Sequence, residues 1–166
     1  MGKKVEVSPF QRLFIVKASF EQELIQLLGG GFVPLSTQPN VVNPNISALL
    51  ILKFHKDLSS AQFKVYVCGA SKNPQKFVLA VHLHRGEADV NGPVIATLFN
   101  SPSSHGTPVN GLLAKGTLTN DNIQVDSGIN SVASLYQAIR RGAVYINVHT
   151  VDLPDGAVRG QIVSEC

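Results

Sequence analysis

Gln62-Phe63-Lys64-Val65-Tyr66-Val67-Cys68 alternates in the way a half-buried strand requires. Successive side chains of a strand leave opposite faces, so Phe63, Val65 and Val67 line one side while Lys64 and Tyr66 line the other. A helix would scatter the same residues around its circumference. The stretch reads as a strand with one dry and one wet face. Cys68, which closes the apolar run starting at Val65, is expected to be buried with it.

Working outward, runs of the same kind recur on both sides. Residues 12–20 and 46–54 precede the stretch, and residues 77–83, 94–99, 111–118, 143–149 and 158–163 follow it, all rich in β-branched and aromatic side chains. Between them stand Gly29-Gly30-Gly31, Ser71-Lys72-Asn73-Pro74, Asn91-Gly92-Pro93 and Pro154-Asp155-Gly156, whose residue types favour turns. Phe32-Val33-Pro34 reads as another break, because proline cannot donate to a strand ladder. Residues 100–110, around His105, read as a surface loop. Eight short strands with turn-rich links predict an all-β fold, an antiparallel sandwich of two sheets.

One segment departs from the pattern. In residues 131–141, Val132, Leu135, Tyr136 and Ile139 fall at helical spacing. Ser131 or Asn130 is suited to cap the start, Arg140 and Arg141 suit the negative end of the helix dipole, and Gly142 is a good residue to end on. A short helix is expected here, its apolar stripe closing one end of the sandwich.

Composition narrows the function classes. The chain has 166 residues, enough for one domain with a substantial core; residues 1–11 read as an N-terminal extension and 12–166 as a single domain. Charged residues make up 15%, below the roughly 25% of an average domain, so the surface is cheap to desolvate against other protein. The net charge of +3 comes from scattered lysines, with only Lys3-Lys4 and Arg140-Arg141 adjacent, so no nucleic-acid partner is expected. No segment approaches the ~20 apolar residues of a membrane span. Leu13-Phe14-Ile15-Val16 is too short for the core of an export signal, and none is expected. The two cysteines are too few for a disulfide framework, and Cys166, as the last residue, is expected to be exposed.

The chemistry concentrates in histidine. His82 and His84 are two apart on a predicted strand and share a face, and His149 ends a later strand. If those strands are neighbours, three imidazoles converge into a first shell suited to copper or zinc. Arg159, between Val158 and the end of the last strand, must pair with a carboxylate or backbone carbonyls if buried. It reads as a structural arginine knitting loops together or, beside a metal, as a guide for anions. There is no phosphate-binding glycine loop and no nucleophile elbow. Glu87, Asp89, Asp121 and Asp126 read as solvated, and His55 as exposed.

Val81-His82-Leu83-His84-Arg85-Gly86, Asn91-Gly92-Pro93-Val94-Ile95, Tyr145-Ile146-Asn147-Val148-His149-Thr150 and Arg159-Gly160-Gln161-Ile162 together resemble the signatures of the CHRD (chordin-type) domain family. The likeness runs over roughly residues 20 to 164. It implies an interaction or structural module, as in the extracellular binder chordin, and not a defined reaction. A more distant similarity links the His-x-His strand, the later Val-His before an acidic turn, and Arg159 to the copper/zinc superoxide dismutases. That likeness implies His82, His84 and His149 as copper ligands and Arg159 as an anion guide. The long zinc-binding loop is missing, and His105 alone is left as a fourth imidazole.

The expectation is therefore a superoxide-dismutase-like or immunoglobulin-like sandwich that serves as a non-enzymatic structural or protein-binding module. It associates with itself or with another protein at a cell or spore surface, after synthesis in the cytoplasm. The alternative is a mononuclear copper protein with dismutase-like redox activity.

Overall fold

The computed structural model describes residues 10–22, 24–26, 32–34 and 43–163. Cys166, the glycine turn at 29–31 and most of the expected N-terminal extension lie outside the described residues. The elements follow one another as β1 (Phe10–Ala18), β2 (Leu24–Gln26), β3 (Phe32–Pro34), β4 (Ser47–His55), β5 (Ala61–Ala70), β6 (Val78–Arg85), β7 (Val94–Asn100), β8 (Val109–Leu118), α1 (Val132–Arg140), β9 (Val144–Thr150) and β10 (Val158–Gln161). Eight of the strands form two antiparallel four-stranded sheets, ordered β1-β4-β5-β8 and β10-β9-β6-β7. The all-β sandwich inferred from the alternation is the fold.

The pleat decides what each sheet buries. Leu50, Leu52 and Phe54 of β4 and Val65 and Val67 of β5 point inward from the first sheet. Val81 and Leu83 of β6 and Ile146 and Val148 of β9 meet them from the second. Every one of these side chains is fully buried, and area removed from water at about 25 cal/mol per Å2 is the main force holding the sheets together.

Helix α1 closes one end of this core, with Val132, Leu135, Tyr136, Ala138 and Ile139 buried. Ser131 caps it by accepting a hydrogen bond from the Ser134 amide at 3.1 Å, and Gly142 leaves it in the left-handed region at φ 70°. The Tyr136 ring lies edge-on to Phe14 of β1 (6.1 Å) and Phe54 of β4 (5.3 Å). Those edge-to-face contacts anchor the helix to the first sheet.

The sandwich is stitched along one side where β1 leaves its sheet. The Ser19 amide donates to the Arg159 carbonyl at 2.8 Å and the Arg159 amide donates back to the Ser19 carbonyl at 3.0 Å. This closeness needs Gly160, because a Cβ there would stand 2.6 Å from the Lys17 carbonyl oxygen. The N-terminal strand thus pairs within its own molecule, beginning at Phe10 and not at Arg12.

Three expectations are corrected. Cys68 is exposed, because the pleat that turns Val65 and Val67 inward turns Cys68 out with Lys64. Phe32-Val33-Pro34 is not a break but β3, paired with β2, and its proline stands at the strand end, where a missing amide hydrogen is tolerated. His55 is only about one-third exposed and holds Asp57, with Nδ1 2.6 Å from Oδ1. Among the described residues no helix is long and apolar enough to cross a membrane.

Candidate functional site

The outer face of the second sheet is polar where an ordinary sandwich strand would be only wet. Strand β9 reads Tyr145, Asn147, His149 on its outward positions, and its register with β6 sets Tyr145 opposite His84, Asn147 opposite His82 and His149 opposite Ala80. Directly paired residues share a face, so two adjacent strands bring His82, His84 and His149 together. One nitrogen from each lies within 4.8 Å of one from each of the others. His105 is not part of this group; it is exposed in the loop between β7 and β8, its backbone amide donating to Ser103 Oγ at 3.1 Å.

Hydrogen bonds assign the imidazole tautomers. His84 Nδ1–H donates to the Gly92 carbonyl at 2.9 Å, and His149 Nδ1–H donates to the Pro154 carbonyl at 2.9 Å. A carbonyl can only accept, so both rings keep their Nε2 lone pairs. Nε2 of His149 is 3.1 Å from His82 Nδ1, which in the neutral cluster carries the shared proton. Nε2 of His84 is buried with no hydrogen-bond partner among the described residues. A buried, unpaired lone pair costs free energy and calls for an explanation.

The electrostatics push the same way. Burial lowers the His82 pKa from 6.5 to about 4, with the neighbouring His149 and His84 adding to the shift. Burial lowers His84 as well, against its bond to Gly92, and lowers His149 against its bond to Pro154 and the charge of Asp155. Three imidazoles kept neutral present lone pairs, which is the state a metal needs.

Two loops hold this arrangement. Residues 86–93 fold over Tyr145, whose hydroxyl accepts a hydrogen bond from the Gly92 amide at 3.1 Å. A Cβ on Gly92 would collide with the Arg85 carbonyl oxygen, so only glycine lets the loop approach closely enough for its carbonyl to reach His84. Residues 151–157 bring Pro154 to His149 in the same way. The expected turns at Asn91-Gly92-Pro93 and Pro154-Asp155-Gly156 are thus the supports of two histidines.

Arg159 is 1% exposed. Its guanidinium donates to Asn91 Oδ1 (2.7 Å), the Glu87 carbonyl (2.7 Å), the Val90 carbonyl (3.1 Å) and Gln161 Oε1 (3.2 Å). It also lies over the Tyr145 ring, which is itself stacked on His84 at 4.9 Å and 9°. Gln161 extends the network by donating to the Gly86, Gly142 and Val144 carbonyls at 2.7–3.0 Å. Tyr145 and Asn147 were not singled out from the sequence. The signal was available: polar-tipped residues at every second position of an otherwise Val/Ile strand share the face of His149.

The donor set suits a metal. Two nitrogens bound to one ion at about 2.0–2.1 Å stand roughly 2.9–3.4 Å apart, and His82 Nδ1 and His149 Nε2 are 3.1 Å apart. His84 Nε2 supplies a third lone pair that no described residue uses. Each of His84 and His149 also has the carbonyl partner on its other ring nitrogen that orients a ligating imidazole.

The fold and this face define the class: an antiparallel two-sheet β-sandwich domain with a histidine triad braced by loops on one outer surface. The CHRD domain family model matches residues 32–162, and the chain belongs to that family. The match starts after β1, so the strand that closes the first sheet is contributed from outside the matched region. No curated protein and no solved structure matches the chain.

Proposed function

We propose that this CHRD domain is a non-enzymatic binding module that holds one copper ion on His82 Nδ1, His84 Nε2 and His149 Nε2. The observation that carries the reading is the buried His84 Nε2 with no described partner, beside two imidazole nitrogens already at the spacing of common ligands. To ligate, His82 moves its proton to Nε2 and presents Nδ1. Imidazole sites suit both copper and zinc, and copper, which stands higher in the general affinity order, is the ion proposed. A bound copper ion supplies Lewis acidity and a one-electron couple.

Arg159 favours holding the ion over turnover. Drawing an anion to a metal needs a cation that faces solvent, and this guanidinium is buried and engaged by two side-chain carboxamides and two backbone carbonyls. Membership in the CHRD family supports a module that binds rather than reacts.

The test is metal analysis of protein purified without added metal, followed by Cu2+ titration of wild type and His82→Ala/His84→Ala. One ion per chain, lost in the double variant, is the expected result. Equal binding by both proteins, or none by either, removes the site.

A further inference from the structure

The sheet on the far side of the core carries a different chemistry on its outer face. Strand pairing sets Ile15, Ile51, Lys64 and Lys115 side by side across β1, β4, β5 and β8, with Leu13 paired to Lys53 in the adjoining row. These residues line a groove of ≈ 590 Å3. Leu13 is 53% exposed and Ile15 59%, so the apolar half of the groove is open to water. The four strands contain no aspartate or glutamate, and none of these lysines is ion-paired among the described residues.

Lys64 and Lys115 are direct cross-strand partners, an arrangement that repels. Such a row is stabilised by an anion from outside. The chemistry selects which one. A phosphate backbone would waste Leu13, Ile15 and Ile51, and a flat lipid surface does not fill a concave groove. A second copy meeting this face with the same face would bring lysine to lysine. Carboxylates interspersed with apolar side chains match both halves.

We propose that this groove docks an acidic segment of a partner protein, its carboxylates on Lys53, Lys64 and Lys115 and its apolar side chains on Leu13, Ile15 and Ile51. The proposal deepens the binding-module reading and does not depend on copper, because the groove and the histidines lie on opposite outer faces of the sandwich.

Fluorescence anisotropy tests it with a short labelled peptide in which glutamates flank leucines. The full chain should bind this peptide saturably and lose affinity as salt rises. Lys64→Glu/Lys115→Glu should weaken binding at least about tenfold, and Lys64→Gln/Lys115→Gln by less, in the order of charge removed. Circular dichroism checks that both variants keep the fold. No binding, equal binding of the glutamine counterpart of the peptide, or undiminished binding by the glutamate variant overturns the proposal. So does tighter binding of phosphatidylglycerol vesicles or of oligothymidylate, which would assign the face to lipid or nucleic acid.

Discussion

The Arg159 guanidinium carbon lies 3.5 Å from the centre of the Tyr145 ring, so a buried cation rests on an aromatic face that is itself stacked on a candidate ligand. The contact joins the last strand to β9, and the hydrogen bonds of the same guanidinium join it to loop 86–93. One side chain therefore supports the strand, the loop and, through Tyr145 and Gly92, the orientation of His84.

Removing that side chain should be costly. Arg159→Met roughly keeps the volume but removes the donor to Asn91 Oδ1 and to the Glu87 and Val90 carbonyls, and we expect a loss of about 2–4 kcal/mol. Arg159→Lys should recover only part of it, since an ammonium cannot match a planar fork. Urea unfolding measures this: the midpoint should fall with the slope unchanged.

Gly92 sets how close its carbonyl comes to His84. Gly92→Ala forces the added methyl away from the Arg85 carbonyl and moves the loop. Copper affinity should drop about 10–100-fold, the usual effect of losing an outer partner of a ligand, while circular dichroism stays that of the folded sandwich. Unchanged affinity would mean that the Gly92 carbonyl does not orient His84.

The histidines make the metal-free protein sensitive to acid. His82 has a folded pKa of about 4 against an ordinary 6.5, and His84 and His149 are shifted in the same direction. Depressed folded values mean that the unfolded chain binds more protons between those limits. The stability they contribute is fully present above pH 6.5 and is lost as pH falls toward 4. Thermal melts across that window should show a falling Tm. With copper bound the fall should begin at lower pH, because metal and protons compete for the same nitrogens.

Cys68 provides a test of the strand pleat. In a Cys166→Ser background, a thiol reagent should label the native protein at a rate close to that of the unfolded chain, since the side chain faces solvent. Protection lifted only by denaturant would place Cys68 in the core after all.

The helix and the eight strands of the two four-stranded sheets were legible because their signals are local. Val132, Leu135, Tyr136 and Ile139 show their period within two turns, and Phe63, Val65 and Val67 within one strand. Strands β2 and β3 were not, since three residues are too few to establish a period and Pro34 argued against one. Cys68 was misread because hydrophobicity of the run was given weight over the parity of the position.

The candidate site divides along the same line. The sequence by itself determined that His82 and His84 share a face, because side chains two apart on a strand must. It also determined that Arg159, if buried, needed partners, because a charge cannot be left dry and unpaired. Only the tertiary structure decided that β9 lies beside β6 in the register that adds His149, and that Asn91, 68 positions away, meets Arg159. The reason is physical. Alternation is enforced by bonds between neighbours, whereas strand adjacency and loop placement follow from packing the whole core, to which residues distant along the chain contribute together.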